Sequence, residues 1–293
     1  MTQYFFYLYI MQSDTVMPLK IIETPRDAMQ GIKEFIPTDR KVSYINQLLK
    51  AGFDTVEVGS FVSPAAIPQM RDTAEVLERL DKSGSHSKIM VLVAGRRGME
   101  QAVNYDVITD ICYPFSASDT FLKMNINRSP EESLTDIAYM LETCKKSGKT
   151  LNVYITMAFG NPYNDEWSVQ RIVDLAGVLI SKGVTCVPLS DITGEAEERR
   201  MSEVFQALHK TFPDTEFGLH LHAEKKRALS LVEAAWNAGC RRYDTVTGGM
   251  GGCPMTGKEL LANLDTLQLC KWLEVAGISH NINVVRIPEL PVK

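Results

Sequence analysis

The sequence predicts a single-domain (β/α)8 barrel, the TIM-barrel fold, and three observations lead to that prediction. From Leu19 onward, short β-branched runs alternate with amphipathic stretches of helical spacing, a pattern typical of parallel strands joined by crossover helices. Each kind of segment occurs eight times, which is the number that closes a barrel. The length of 293 residues suits one such barrel, which typically needs about 250 residues.

The predicted strands are β-branched, apolar runs such as KIMVLVA, the third of the series. Their carboxyl ends carry most of the polar residues discussed below. The eight strands are expected at residues 19–24, 54–59, 88–94, 107–115, 150–158, 185–191, 216–222 and 242–247.

The predicted helices fill the intervals, and several end at a glycine just before the next strand, namely at Gly52, Gly148, Gly183 and Gly239. Glycine is the usual residue at a helix C-terminal stop. An open doubly wound sheet is disfavoured, because the first strand is followed by TPRDAMQ and not by a GxGxxG turn. The helices are expected at residues 39–51, 69–81, 98–104, 130–147, 167–181, 195–210, 225–238 and 258–276.

The chain shows no linker and no low-complexity tract, so one domain is expected, with the barrel at residues 19–284 and a tail at 285–293. Residues 1–18 are interpreted as an N-terminal extension. Their aromatic run YFFYLYIM lacks the charged start and the small-residue cleavage site of a secretory signal. The extension could equally be a segment that caps the barrel floor.

Composition excludes several classes of function. A formal net charge of −5 provides no basic field for nucleic acid. No apolar run approaches the roughly 18 residues that a membrane span requires. The six cysteines are scattered without CxxC spacing, so a disulfide framework or structural zinc is not expected, and reduced thiols in the cytoplasm fit better.

The sharpest signal for chemistry is the pair His220 and His222 in the seventh strand. Active sites of such barrels lie at the C-terminal ends of the strands, and side chains two apart on a strand share a face. The pair could be two inert polar residues, but Asp27 and Asn263 are expected at the same barrel mouth. Two imidazoles, a carboxylate and an amide oxygen suit an octahedral ion, so Mg²⁺ or Mn²⁺ is favoured over zinc.

Four further residues are candidates for chemistry, each with a structural alternative. Arg26 could stabilise an oxyanion or enolate beside the ion, or form an ordinary surface salt bridge. Glu57 and Asp191, at the ends of apolar strands, should be paired or functional. Cys253 follows a glycine-rich run that could close over a site, although most cysteines are simply buried apolar residues.

These residues lie in motifs that resemble the 3-hydroxy-3-methylglutaryl-CoA lyase family, which belongs to the metal-dependent lyase barrels. The similarity runs from about residue 19 to about residue 284. TPRDAMQ resembles the family's GPRDGLQ, VEVGSFVSPAAIPQM resembles IETTSFVSPKWVPQM, and NINRSPEES resembles NINCSIEES. LSDITG, GLHLH and GGMGGCP resemble LGDTIG, VHCH and GLGGCP, in the same order along the chain.

The resemblance implies that Asp27, His220, His222 and Asn263 hold a divalent cation. It implies that Arg26 stabilises the enolate of the departing acetyl thioester. The implied reaction is a retro-Claisen cleavage of an acyl-CoA thioester, giving acetyl-CoA and acetoacetate. The proton acceptor for the tertiary hydroxyl would be Asp27 or a histidine of the cation site, such as His220.

The remaining implied roles concern residues around the cation. Cys253 would protonate the carbanion from a loop that closes over the substrate. Glu57 and Asp191 would be supporting carboxylates near the reacting centre. Lys33 falls where the family has a lysine after its RDGLQ motif, and it is expected to be a cofactor-binding residue. A homodimer is expected, since dimers are common among such barrels.

The sequence also departs from the family pattern. Ala28 replaces a glycine-type position, Ala223 replaces the aspartate after HxH, LVAGRRG stands where the family has LTPN, and the interval from Cys253 to Asn263 is one residue longer. These changes bear on the acyl group and on the CoA contacts. Two alternatives stay open: a Claisen-type synthase or aldolase acting on a 2-oxo acid, and an inactive barrel that serves as a binding protein.

Overall fold

The computed structural model describes residues 17–252 and 261–291. The predicted N-terminal extension, apart from its last two residues, and Cys253 lie outside the described residues. The eight barrel strands are β1 Lys20–Glu23, β2 Thr55–Phe61, β3 Lys88–Val93, β4 Asp110–Ser116, β5 Thr150–Thr156, β6 Cys186–Asp191, β7 Glu216–Ala223 and β8 Arg242–Thr245.

Strand pairing closes the sheet and confirms the predicted barrel. Each strand from β1 to β8 pairs in parallel with the next, and β1 pairs with β8 through the register Ile22 to Asp244. A ninth short strand, β9 Ala262–Asn263, runs antiparallel to the end of β7. Because β7 and β9 are adjacent, the segment after the glycine-rich run returns to the barrel mouth beside the histidines.

Helices surround the barrel in the alternation that the sequence predicts. Among the described residues the α-helices are α1 Pro25–Gln30, α2 Thr38–Leu48, α3 Thr73–Glu78, α4 Arg96–Ala102, α5 Asp119–Ile126, α6 Pro130–Ser147, α7 Val169–Ser181, α8 Glu198–Thr211, α9 Lys225–Asn237 and α10 Thr266–Val275. None of the helices in the described ranges is long and apolar enough to cross a bilayer.

Several boundaries differ from the prediction. The helix expected at 69–81 is a 3-10 turn, Pro68–Met70, followed by the short α3. The elements α1, α5 and β9 were not predicted, because six, eight and two residues respectively are too few to show a periodic apolar face. The helix expected from residue 258 is described only from Thr266, since residues 253–260 lie outside the described residues.

Local sequence explains the elements that carry the site. Pro25 occupies the first turn of α1, where a missing N–H costs nothing. It starts a helix directly after β1 and places Arg26 and Asp27 at the barrel rim. The longest helix, α6, begins with a reciprocal capping box between Ser129 and Glu132. It ends at Gly148, whose left-handed conformation (φ 67°) suits glycine.

The apolar core lies mainly between the barrel wall and the helices. Fully buried residues such as Ile45 and Leu48 of α2 pack into one continuous cluster with the outer face of the strands, and burying each such side chain contributes roughly 2 kcal/mol. Inside the barrel the apolar cluster is small, comprising Ile22, Met90, Cys112 and Tyr154. Leu92 packs against this cluster, and charged side chains lie at both ends of the interior, such as Asp27 at one end and Glu216 at the other.

Candidate metal centre and active site

Three side chains that the sequence analysis selected meet at the barrel rim. Asp27, His220 and His222 are all buried, and their ligand atoms lie within 4.8 Å of one another. The two histidines are alternate residues of β7, so both point into the barrel. Asp27 reaches the same point from the first turn of α1, which follows directly after β1.

The ligand atoms face one another in the way that a shared cation requires. His220 Nε2 lies 3.0 Å from His222 Nε2, and His222 Nε2 lies 3.4 Å from Asp27 Oδ2. Two facing imidazole nitrogens can share only one proton, so the cluster presents more acceptor capacity than its own protons satisfy. Two imidazoles and a carboxylate fit a divalent cation that leaves further positions for oxygen ligands.

Asn263 lies beside this cluster because β9 pairs with β7 and sets Asn263 opposite His222. Its Nδ2 donates to Asp27 Oδ2 at 2.8 Å and to the backbone oxygen of Met250 at 2.9 Å. The side-chain amide therefore contacts the cation cluster through its nitrogen. Its role as an oxygen ligand stays a prediction.

Arg26 joins two carboxylates in a buried network. Its Nε and Nη2 donate to the two carboxylate oxygens of Glu57 at 2.8 and 3.1 Å, a bidentate pair. Its Nη1 donates to Asp27 Oδ1 at 2.9 Å and to Gln30 Oε1 at 2.8 Å. Gln30 in turn donates to Asp27 Oδ1 at 2.6 Å, so Asp27 is fixed from two directions.

The two carboxylates that contact Arg26 have pKa values that are shifted in opposite directions. Burial works against the charged form of Asp27, but Arg26 and then His222 outweigh it and hold the pKa of Asp27 well below its usual range. For Glu57 burial is the larger effect, and it raises the pKa despite the Arg26 pair. Asp27 is therefore the ionised carboxylate of the cluster.

Asp244 contacts the cluster from inside the barrel, and the sequence analysis did not select it. Its Oδ2 lies 3.3 Å from His220 Nδ1 and accepts a 2.7 Å hydrogen bond from the Tyr154 hydroxyl. A carboxylate on Nδ1 keeps the proton on that nitrogen and turns Nε2 towards the ligand site. The signal in the sequence was the alternation along β8, which points Arg242 and Asp244 inwards.

Asp191 and Lys33 are not brought into this cluster. The Asp191 carboxylate accepts backbone N–H groups of residues 193–196 and so shapes the loop after β6. The cavity is lined instead by Ser190 of β6 and by Ile192, which follows the strand, because residues that alternate with Asp191 face inwards. Lys33 is exposed after α1 and is absent from the described lining of the cavity.

The glycine-rich run reaches the cluster at Gly251. A Cβ at Gly251 would lie 2.7 Å from the backbone oxygen of Asp27 and 3.0 Å from Asn263 Nδ2. Only glycine permits this close approach, and the φ of 96° is also in the left-handed region. Cys253 follows two residues later and lies outside the described residues, so its position stays a prediction.

A cavity of about 380 Å³ opens over the cluster. Its polar end holds Arg26, Asp27, Glu57 and both histidines, and its walls include apolar side chains, such as Leu92 of β3 and Ile192 after β6. A largely apolar pocket with a few convergent polar groups is the usual form of a small-molecule site. The cavity can therefore hold a small polar acyl group at the cluster.

Comparison with known proteins agrees with this geometry. The profile of the HMGL-like family matches residues 19–291. The chain belongs to the HMGL-like family. It is 31% identical over 263 residues to the hydroxymethylglutaryl-CoA lyase YngG of Bacillus subtilis, covering 90% of this chain and 87% of that protein. It is also 31% identical over 276 residues to a cytoplasmic 3-hydroxy-3-methylglutaryl-CoA lyase of Rattus norvegicus, covering 92% and 78%.

Solved structures of HMGL-like proteins superpose along almost the whole chain. A Bacillus subtilis HMG-CoA lyase matches with a TM-score of 0.87 at 30% identity, covering 94% of this chain and 91% of that one. An Acinetobacter baumannii HMG-CoA lyase in complex with coenzyme A and 3-methylmalate matches with a TM-score of 0.87 at 28% identity, covering 96% and 91%. The HMGL-like assignment confirms the family resemblance that the motifs predict.

Proposed function

We propose that this HMGL-like protein is a divalent-cation-dependent carbon–carbon lyase that cleaves 3-hydroxy-3-methylglutaryl-CoA, or a close analogue, to acetyl-CoA and acetoacetate. The observation that carries the proposal is the convergence of Asp27, His220 and His222, joined through Asp27 to Arg26 and Glu57. An inactive binding protein would have no need to keep these charges buried together.

The cation, Mg²⁺ or Mn²⁺, would be held by Asp27, His220, His222 and Asn263. It would supply Lewis acidity that lowers the pKa of the substrate's tertiary hydroxyl. Asp27 or His220 accepts the hydroxyl proton. The bond between C2 and C3 then breaks, C3 becomes the ketone of acetoacetate, and the electron pair passes to the acetyl thioester as its enolate.

Arg26 is suited to hold that enolate. Four of its five N–H donors are engaged by Glu57, Asp27 and Gln30. The remaining N–H belongs to a residue that lines the cavity. Glu57 and Gln30 thus fix the guanidinium plane, and one donor remains for the developing oxyanion.

Protonation of the carbanion is assigned to Cys253. The support is the approach of Gly251 to Asp27 and Asn263, two residues before the thiol. The five cysteines of the described ranges are buried, and burial raises the pKa of Cys112 well above its usual value. Cys112 is a poor acid–base group for that reason, although it also borders the cavity.

We also propose that the protein acts in the cytoplasm, as a homodimer, on a CoA thioester. The scattered, buried thiols support the cytoplasm. The complex of the Acinetobacter baumannii relative with coenzyme A supports the carrier. Light scattering of the purified protein would measure the assembly state, and a monomer at working concentrations would contradict the dimer.

The test of the proposed function is an assay for acetoacetate, with purified, reduced protein, Mg²⁺ and 3-hydroxy-3-methylglutaryl-CoA. We expect acetoacetate from the wild type and from the control His86→Ala, which changes an exposed histidine at the floor. We expect none from His220→Ala. If the wild type released no acetoacetate and instead condensed acetyl-CoA with a 2-oxo acid, the protein would be a synthase and not a lyase.

A further inference from the structure

Arg242 is a buried arginine inside the barrel that the proposed reaction does not use. It lies on β8 two residues before Asp244, so both side chains point inwards. Its side chain is only 6% exposed, and arginine is almost never buried without partners. Because a guanidinium stays charged throughout the physiological pH range, this residue places a permanent positive charge inside the barrel, and that charge needs anionic partners.

A glycine on the neighbouring strand makes room for this side chain. Gly218 alternates with Glu216 and His220 on β7, which pairs with β8. A Cβ at Gly218 would lie 2.6 Å from Cδ and 2.8 Å from Cγ of Arg242. The stem of Arg242 therefore lies against β7 where glycine leaves the strand bare. This course takes the guanidinium to Glu216 on one side and to Asp244 on the other.

The guanidinium is hydrogen-bonded on one side only. Its Nη1 donates to Glu216 Oε1 at 3.0 Å, whereas its Nε lies 3.8 Å from Asp244 Oδ1, too far for a hydrogen bond. Nε, Nη2 and Asp244 Oδ1 are buried and have no hydrogen-bond partner among the described residues. Nε and Nη2 form the edge with which Arg26 holds Glu57. Arg242 thus has a complete donor edge beside Asp244.

The two carboxylate oxygens of Asp244 face different groups. Oδ2 accepts the Tyr154 hydroxyl at 2.7 Å and lies 3.3 Å from His220 Nδ1, whereas Oδ1 faces Arg242. A carboxylate that is held at both oxygens cannot turn about its Cβ–Cγ bond, so a contact at Oδ1 fixes the direction of Oδ2. Since Oδ2 orients the imidazole, the effect of Arg242 on Asp244 passes to His220.

We propose that Arg242 is a positioning residue of the cation site, which holds Asp244 Oδ1 so that Oδ2 orients the His220 imidazole and directs Nε2 to the cation. The proposal rests on the proposed function, because it takes His220 to be a cation ligand. The contact requires the separation of Nε and Oδ1 to shorten by about 1 Å. That movement pairs buried donors with a buried acceptor, which are costly to leave unpaired.

The alternative is that Arg242 serves only as a counter-ion for Glu216 at the floor. Lys20 also pairs with Glu216, so this carboxylate has a second cation and does not depend on Arg242 alone. The two roles predict different results for variants of Arg242. A role confined to Glu216 would change the stability of the fold and leave the cation affinity unchanged, whereas the positioning role changes the cation affinity itself.

The experiment is a calorimetric titration of Mn²⁺ into the metal-free wild type, Arg242→Lys, Arg242→Met and the control Lys88→Met. Lysine keeps a positive charge for Glu216 but has no planar donor edge for Asp244, so the fold should tolerate this change. Lys88 is another floor cation, on β3, 3.7 Å from Asp110.

We expect both Arg242 variants to bind Mn²⁺ about 3- to 10-fold more weakly, which is less than the roughly 10- to 100-fold cost of losing a direct partner of a ligand. The control should bind as the wild type does. Equal Mn²⁺ affinity in the wild type and in the folded Arg242 variants would overturn the proposal.

Asp244→Ala provides a second readout, because it removes both oxygens through which Arg242 is proposed to act. In that background, Arg242→Lys should cause no further loss of Mn²⁺ affinity, since coupled residues are not additive. Additive losses from the two changes would show that Arg242 does not act through Asp244 and would also overturn the proposal.

The same titrations separate this inference from the proposed function. A wild type that binds no Mn²⁺ would reject the cation site and the role of Arg242 with it. Weaker Mn²⁺ binding in the Arg242 variants of a protein that yields no acetoacetate would support the role of Arg242 and reject the lyase. Acetoacetate formation with equal Mn²⁺ affinity in all variants would support the lyase and reject the role of Arg242.

Discussion

Charged clusters lie at both ends of the barrel. The cluster at the floor has equal numbers of cations and carboxylates, whereas the cluster at the rim has fewer cations than carboxylates. At the floor, Glu216 pairs with Lys20 and with Arg242, and Lys88 lies 3.7 Å from Asp110. Asp54 faces Lys20 and Arg242 at the same end, so three cations meet three carboxylates. At the rim, Arg26 is shared between Asp27 and Glu57, and two imidazoles face each other.

The difference between the ends shows where function lies in this molecule. Buried charges persist when they are paired, and the floor meets this condition with its own residues. The rim has one guanidinium for two carboxylates, so it is one positive charge short when both are ionised. A divalent cation would complete the rim, whereas the floor has no comparable deficit.

The largest expected effect is a loss of turnover when the proposed general acid, Cys253, is removed. Cys253→Ala should retain the fold and the cation affinity and lower turnover by about 10²- to 10⁴-fold, the usual contribution of a general acid. The measurement is acetoacetate release in the steady state. Cys270→Ala, which changes a buried thiol of α10, is the control and should keep most turnover. Unchanged turnover in Cys253→Ala would rule out the acid role.

A smaller effect is expected at the carboxylate behind the rim. Asp244→Asn removes the anionic acceptor at His220 Nδ1, so the imidazole loses its fixed orientation. We expect Mn²⁺ to bind about 10- to 100-fold more weakly, which is the usual effect of such supporting residues. Asp214→Asn, an exposed change at the floor, should leave the affinity unchanged. Equal Mn²⁺ binding by both variants would show that Asp244 does not position His220.

The smallest effect concerns Glu23, a buried carboxyl outside the cation cluster. Burial raises its pKa from 4.5 to about 7, although Thr266, Thr247 and Thr245 donate hydrogen bonds to it. The folded state therefore holds a proton that the unfolded state releases above pH 4.5. The stabilising effect of this proton is complete below that pH and is lost as pH rises to about 7.

Glu23→Gln should remove this pH dependence, because the amide cannot ionise and can make similar hydrogen bonds. Between pH 5 and pH 8, its free energy of unfolding should improve relative to the wild type by on the order of 2 kcal/mol. Urea unfolding at the two pH values measures this change. A constant difference between the two proteins across that range would contradict the raised pKa.

The sequence predicted the barrel because the alternation of strands and helices extends along the whole domain and stays recognisable when element boundaries are wrong by a few residues. It also predicted that His220, His222 and Asp27 converge, since the carboxyl ends of all strands of a barrel meet at one mouth. Arg26 was selected on the same ground, because it directly precedes Asp27.

The sequence predicted less well which residues of each strand point into the barrel, because that depends on the pleat of the strand. Whether a residue points inwards changes with a shift of one position, so Asp191 was selected although its neighbour Ser190 faces the cavity. Asp244 and Tyr154 were missed for the same reason, because the sequence alone does not show that they point into the barrel. The short α1 and β9, which fix Asp27 and Asn263, are too brief for periodicity to reveal.

The most direct test of the account is a calorimetric titration of Mn²⁺ into the metal-free protein. The wild type and Lys20→Met, which alters only the floor, should each bind one ion per chain. Asp27→Ala should bind Mn²⁺ at least about 100-fold more weakly, because loss of a mere supporting residue already costs about 10- to 100-fold. Equal Mn²⁺ affinity in the wild type and Asp27→Ala would contradict a cation held at the rim.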